Sequence, residues 1–475
     1  MFQESVALPP GVQDGCVRRS LGKPHSRPNV GRSHSSSQPF IHPEKTSQRE
    51  SNQVSFAQAE KPLGNIGISA VPLEAEIGEK TALEASELAK SWLNKVYEIR
   101  NTVGSFYSVV RPCGHYPRKQ GQDVAVVKGK SGSVYYTNLQ QCKSRWACPV
   151  CSTKIAKHRA DEVRNMLTHA VEVHSQVGVM ITLTLPHYSS DRLKYLSDHV
   201  RGAFRDMTAD NKYKGKYKRK KGDSELVTHG LKQKYGVKGY VRALEVKKSL
   251  KHGWHPHVHV CFMMDAGADI GAFSKKFISL WAKHIFKRTG KKIVQKVQDW
   301  REITEINGIS DYTSKWDLAR ELVQSNGKDD GSGLPVFKLV ELFQETGNMQ
   351  YMKDFLTFAH AMKGVTPVSY SKGFKLACLS TPRDWAEKQV AEQDCEEEET
   401  EEKTDAEICE EEDIEQLLMS LAYEIFKEIR RQKQEANLLH IGQFEPERLL
   451  QFVQERVPGA VNVAAEGSPP KLRME

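Results

Sequence analysis

The stretch Gly253-Trp-His255-Pro-His257-Val-His259-Val-Cys-Phe-Met-Met264 decides the reading of this chain. Alternate side chains of a β-strand share a face. His255, His257 and His259 therefore point one way, and Pro256, Val258, Val260 and Phe262 the other. One face is polar and suited to a metal; the other is suited to a core. Imidazoles two residues apart on a rigid strand converge on one cation. Glu245, on the strand before it, can add an anionic oxygen. Two histidines and one carboxylate leave coordination positions open to substrate, as catalytic metal sites require. His255 is a further ligand candidate. Three strand histidines can also serve as plain surface or core polar groups, but the alternation and the nearby carboxylate favour a metal site.

The neighbouring segments set this strand in a fold. VGVMITLTLPH (177–187) is β-rich and is stopped by Pro186, and GYVRALEVK (239–247) is a second strand. Lys248–His252 reads as the hairpin loop leading into the histidine strand. Helices are expected from Phe273 to Arg288 and around Ile309 to Gln324. Adjacent strands followed by helices predict an α+β fold with an antiparallel sheet flanked by helices.

The 475 residues suggest more than one unit. Residues 1–85 are rich in Ser, Pro, Gln and charge and are expected to be disordered. A helix is expected to begin near Ala82, where Leu83, Leu88, Trp92 and Leu93 fall at roughly helical spacing. Residues 86–170 read as a helical, cysteine-rich module and 171–385 as the main α+β domain. An acidic linker, 386–415, follows. Residues 416–475 read as a helical appendage, because Leu417, Leu418, Leu421, Ile425 and Ile429 lie near helical spacing. No apolar run approaches the length of a membrane helix, and the first residues do not read as a secretory signal. A cytoplasmic protein without membrane contact is expected. The net charge of +9 favours a polyanion partner.

The nine cysteines are odd in number and mostly scattered, which argues against a disulfide framework. Four of them form a candidate zinc set. Cys142, Cys148 and Cys151 include a CxxC knuckle, and Cys113 is the candidate fourth ligand, with His115 as its substitute. Thiolates at this spacing suit tetrahedral structural Zn²⁺. Buried cysteines near a turn are the plainer alternative.

A second polar run, Asn211 to Lys221, is dense in cations: Lys214, Lys216, Lys218, Arg219, Lys220 and Lys221, with Tyr213 and Tyr217 interleaved. As a loop it could follow a phosphate backbone while its rings stack on unpaired bases. As a solvated loop it would do nothing. Such cations give affinity, not sequence choice.

Several of these segments carry a family resemblance. His257-Val258-His259 has the His-hydrophobic-His form of the HUH endonucleases. GYVRALEVKKSLKHGWHPHVHV resembles the second motif of the plasmid rolling-circle replication initiators. Thr182-Leu-Thr-Leu-Pro-His187 resembles their first motif, and Asp311-Tyr312-Thr-Ser-Lys315-Trp316 their third. FAHAMKGVTPVSYSKGFK resembles their closing segment, and CPVCSTKIAKHRADEV a segment just before their first motif. The resemblance spans about residues 110–376 in the family's order.

It implies an origin-specific nickase. Tyr312 would attack a phosphodiester of single-stranded DNA, leaving a 5′-phosphotyrosyl link and a free 3′-hydroxyl primer. Lys315, one helical turn on, would share its face and favour the phenolate of a group whose ordinary pKa is ~10. The family uses Mg²⁺ or Mn²⁺; imidazole ligands suit Mn²⁺ better than Mg²⁺ and would also suit Zn²⁺. Plasmid origin DNA with an extruded hairpin, a host helicase and a polymerase are the implied partners. Some relatives carry a Glu four residues before the tyrosine; here that position is Gly308, so the termination step carries over less well. The alternatives are an HUH transposase or relaxase, a metal-dependent hydrolase without a covalent intermediate, and a non-catalytic, zinc-containing DNA-binding regulator.

Overall fold

The computed structural model describes residues 82–130, 132–220, 223–303, 333–378, 398–399, 404–410 and 413–475, all within one compact unit spanning Glu60–Glu475. In chain order these residues form α1 (Ala82–Phe106), β1 (Val124–Gly129), β2 (Val134–Thr137), α2 (Pro149–Glu172), β3 (Val177–Thr184) and α3 (Leu193–Thr208). Next come α4 (Asn211–Lys214), β4 (Lys216–Lys220), β5 (Asp223–Thr228), α5 (Leu231–Lys234), β6 (Val237–Ser249), β7 (Gly253–Met264), α6 (Ile270–Thr289) and β8 (Asp299–Ile303). The remainder is α7 (Val336–Thr346), α8 (Met349–Ala361), β9 (Val368–Ser371), α9 (Phe374–Cys378), β10 (Glu398–Glu399), α10 (Asp405–Glu410), β11 (Ile414–Leu421), α11 (Tyr423–Arg431), α12 (Glu435–Phe444), α13 (Leu449–Arg456), β12 (Ala460–Asn462) and β13 (Lys471–Met474).

The fold is α+β, with antiparallel pairing in its main sheet and helices on both faces. That sheet runs in the order β10-β9-β6-β7-β3-β8, every pairing antiparallel. The histidine strand β7 lies between β6 and β3, the two strands read beside it in the sequence. Alternation sends Val258, Val260 and Phe262 to one face, where they meet Phe204 of α3 and Phe273, Phe277 and Trp281 of α6. The histidine face continues as Cys261 and Met263. These pack with Met180 and Val241 against Val163, Met166, Leu167 and Ala170 of α2. The expected division into one polar and one apolar face is thus too simple. Both faces of β7 are buried beneath helices, and the histidines occupy the end of a second core.

A second sheet, β12-β13-β11-β1-β2, corrects the expected helical C-terminal appendage. Ile414–Leu421 is a strand, antiparallel to β1 and parallel to β13. Helix begins only at Tyr423, after Ala422. Leu417, Leu418 and Leu421 are compatible with either period, since short apolar runs do not separate helix from strand. The open edge of β1 decides for strand. The C-terminal residues are also tied to the N-terminal helix: Arg100 of α1 pairs with Glu435 of α12, both buried. Tyr136 Oη donates to the Glu435 carbonyl at 2.8 Å. Within the acidic stretch, α10 buries Ile408 and Cys409. The expected helix around Ile309–Gln324 lies outside the described residues, as does residues 1–81.

Candidate metal and nucleic-acid site

Cross-strand pairing assembles the first site. Glu245 of β6 stands opposite His257 of β7, which stands opposite Thr184 of β3; Ala243, His259 and Thr182 form the next such row. Direct partners project to the same face. Glu245 Oε2 lies 2.7 Å from His257 Nε2 and 2.7 Å from His259 Nε2. Both histidines are buried, at 7% and 5% exposure.

The other ring nitrogens are held as well. Thr182 Oγ1 lies 3.0 Å from His259 Nδ1, and the His255 carbonyl lies 3.4 Å from His257 Nδ1. Lys247 Nζ pairs with the second Glu245 oxygen at 3.0 Å. Burial opposes ionisation of Glu245, but the two imidazoles outweigh it and hold the carboxyl well below its usual range.

This donor set fits a divalent ion. Donors bound cis on one ion at roughly 2.1 Å stand about 3 Å apart. An opening of a few tenths of an ångström would therefore turn the hydrogen-bonded trio into a ligand set. His255 stands apart. Its ring packs against His257 at 5.3 Å and His187 at 4.8 Å, and Lys247 is its cross-strand partner. Burial, then His257 and His187, push its pKa down to about 4.

Thr182 and Lys247 contact the trio, and His187 packs on His255, without having been assigned roles from the sequence. The period-2 pattern that placed Thr182 and Thr184 on one face of β3 was the available signal for the first. Tyr312 and Lys315 lie outside the described residues. Leu334 exchanges backbone hydrogen bonds with Lys248 of β6, at 2.8 and 3.0 Å. Tyr370, a later tyrosine of the motif region, is buried and donates to Glu162 at 3.0 Å.

The cysteines form the second cluster. The Sγ atoms of Cys113, Cys142, Cys148 and Cys151 all lie within 4.8 Å of one another. Measured separations are 3.6 Å for Cys113–Cys151, 3.8 Å for Cys142–Cys151 and 3.5 Å for Cys113–Cys148. A tetrahedral zinc with Zn–S bonds near 2.3 Å has edges of about 3.8 Å, so the four sulfurs fit that ion. Hydrogen bonds from Cys142, Cys148 and Cys151 hold the Cys113 thiol well below its ordinary value. Proton sharing with Cys113 pushes Cys142 and Cys151 up, and burial does so for Cys148. His115 is not in the cluster; its Nε2 lies 2.9 Å from Asn101 Oδ1. The CxxC segment is the N-terminal turn of α2, the helix that covers the histidine face.

The basic run is not the loop expected. Residues 211–214 form α4, and Lys216–Lys220 is a strand of a two-stranded hairpin. Asp210 starts this unit by accepting from the Lys212 amide at 2.9 Å. Tyr213 is 2% exposed and packs on Phe262 and Phe277, so it cannot stack on a base. Tyr217 accepts a hydrogen bond from Gln233 Nε2. Lys216 and Lys218 are exposed on β4 and Lys214 is half-buried. In the hairpin register Lys218 stands opposite Glu225. Nothing is described for the side chains of Arg219 and Lys220, and Lys221 lies outside the described residues. Among the described residues, no helix is long and apolar enough to cross a membrane.

No family model matches the chain, and no solved structure matches it. Over 192 residues, 38% of this chain and 41% of the relative, it is 25% identical to a Streptomyces lividans protein named Protein rep. Over 190 residues, 40% of this chain and 65% of the relative, it is 26% identical to a Staphylococcus aureus protein of the same name. Over 157 residues, 30% of this chain and 34% of the relative, it is 29% identical to a Streptomyces cyanogenus protein named Neomycin resistance protein. The chain thus spans from about a third to two thirds of the length of these curated relatives.

Proposed function

We propose that this chain initiates plasmid replication by nicking one DNA strand at an origin, with Tyr312 as nucleophile. One observation carries the reading: Glu245 Oε2 sits 2.7 Å from the Nε2 atoms of both His257 and His259, on adjacent strands of one rigid sheet. The similarity to two proteins named Protein rep supports the replication context.

Glu245, His257 and His259 would hold a divalent cation, Mg²⁺ or Mn²⁺. Such an ion polarises a non-bridging phosphate oxygen and offsets charge as the phosphoryl group is transferred. Thr182 fixes the His259 ring through Nδ1, and the His255 carbonyl does so for His257, so both Nε2 lone pairs face the same point. Lys247, bound to the outer oxygen of Glu245, orients that carboxylate and adds positive charge on the side where a phosphodiester would lie.

Tyr312 Oη would form the new bond to phosphorus and give up its proton. The bond to the 3′-oxygen would break, and that oxygen would leave as a 3′-hydroxyl after taking up a proton. Lys315 would stabilise the phenolate. The four thiols Cys113, Cys142, Cys148 and Cys151 would hold a structural Zn²⁺ that fixes the start of α2 over the histidine face.

The test is incubation of the protein and a labelled single strand of its plasmid origin with Mn²⁺. A covalent protein–DNA adduct that disappears in Tyr312→Phe, with the DNA mapped to the Tyr312 peptide by mass spectrometry, is expected. Sequence-specific binding without cleavage would favour a regulator, and cleavage that leaves no attached protein would favour a hydrolase.

A further inference from the structure

An exposed aromatic at the mouth of the histidine site has no role in the proposal above. Tyr188 directly follows the Thr182–His187 segment and is 65% exposed. A ring this open loses favourable burial, yet its loop is held in place at several points. The Tyr188 amide donates to Asp191 Oδ2 at 2.8 Å, and the Asp191 amide donates back to the Tyr188 carbonyl at 3.0 Å. Lys291 Nζ bonds the same Asp191 oxygen at 2.8 Å and lies 4.3 Å from the centre of the Tyr188 ring. Behind the loop, Gly253, the first residue of β7, has φ +84°, and a Cβ there would stand 2.8 Å from Ser189 Cα. Glycine thus lets the loop backbone dock directly on the start of the histidine strand.

The loop also points toward the metal donors through a line of rings. His187 meets His255 at 4.8 Å, His255 meets His257 at 5.3 Å, and His257 is a proposed ligand. Exposed cations adjoin the loop's anchor points along the chain: Arg192 follows Asp191, Lys292 follows Lys291 and Lys251 stands two residues before Gly253, while Asp191 is itself paired with Lys291. A fixed, solvent-facing ring with cations beside it is what an unpaired base and its phosphates require.

We infer that Tyr188 is a stacking platform for one unpaired base of single-stranded DNA, close to the phosphate held at the Glu245–His257–His259 site. Lys291 backs the platform, and the exposed Arg192, Lys251 and Lys292 of the adjoining segments would contact flanking phosphates. The inference rests on the nickase reading, to which it adds a specific contact with the unpaired strand.

The test uses the full chain in EDTA, where cleavage does not intervene. Binding of a fluorescein-labelled oligothymidylate of roughly 16 nucleotides, within the usual site size of single-strand binding modules, is compared with binding of a duplex of equal length. Tyr188→Ala is expected to weaken single-strand binding roughly ten-fold, the scale of one stacked base, and to leave duplex binding unchanged. Tyr188→Phe and Tyr188→Trp are expected to restore it. Unchanged single-strand affinity in Tyr188→Ala, or an equal loss on duplex, overturns the platform while leaving the nickase reading in place. Wild-type protein that binds neither oligothymidylate nor a single strand of its plasmid origin overturns both.

Discussion

Glu245 and His257 are direct cross-strand partners, and this one register brings a carboxylate oxygen to 2.7 Å from an imidazole nitrogen. A slip of one residue would turn Glu245 to the opposite face, toward the aromatic core under α3 and α6. The donor set therefore depends on the same hydrogen-bond ladder that builds the sheet. Substituting any of the three donors tests the site without disturbing that ladder. His257→Ala, His259→Ala and Glu245→Ala are expected to lower Mn²⁺-dependent nicking by more than the roughly 10–100-fold typical of a supporting residue. Origin binding, measured in EDTA by fluorescence anisotropy, should stay near wild type. Full activity of His259→Ala would remove the metal assignment.

Thr182 supports His259 without being a donor itself. Its hydroxyl lies 3.0 Å from Nδ1. Thr182→Val keeps shape and strand preference but removes that contact. A loss of about 10–100-fold in Mn²⁺ affinity is expected, with little change in thermal stability. Isothermal titration with Mn²⁺, beside a melting curve, separates these two effects.

The cysteine cluster predicts a metal content. The protein as purified should carry one zinc per chain by elemental analysis, and Cys148→Ser should carry none. Because the four sulfurs tie Cys113 and Cys142 to the start of α2, the variant should also melt at a lower temperature. Structural zinc contributes directly to folding free energy. A Cys148→Ser protein with unchanged zinc and unchanged melting would show that the thiols are only packed together.

The buried pair Arg100–Glu435 joins the two ends of the described chain. Its partners are 4% and 5% exposed, and Arg430 also approaches the same carboxylate oxygen at 3.4 Å. Glu435→Ala would leave the buried Arg100 guanidinium without its carboxylate, with Asn101 Oδ1 still accepting from it, and would remove the same oxygen from the half-buried Arg430. Breaking such a pair typically costs about 3–5 kcal/mol, and urea unfolding should show a loss on that scale. A loss below about 1 kcal/mol, the level of a surface pair, would mean that water reaches the site.

Asp210 predicts a pH dependence. Burial opposes its ionisation, but the Lys212 amide, Lys283 and His284 outweigh this and hold its pKa well below the ordinary value. A carboxyl depressed in the folded state adds stability that is complete above its unfolded pKa of about 3.9 and is lost as pH falls toward the lower folded value. The stability difference between wild type and Asp210→Asn, from urea titrations, should therefore be largest near neutrality. It should shrink steadily below about pH 4. A difference that does not change with pH would assign the effect to packing alone.

Much of the candidate site could be read from the chain because its signals are local. The period of two in β7 put His255, His257 and His259 on one side, the short hairpin set β6 beside β7, and the CxxC spacing marked the thiol cluster. These depend only on strand geometry and on residues close together in sequence. Other features depend on partners far away. Ile414–Leu421 became a strand because β1, nearly three hundred residues earlier, offers it an open edge. Tyr213 left the expected basic loop for the core because Phe262 and Phe277 stand beneath it. His255 fell outside the donor trio because Lys247, its cross-strand partner, occupies the next position along the face. Local periodicity determines which way a side chain points, whereas tertiary packing determines what it meets there, and that meeting separates a ligand from a neighbour.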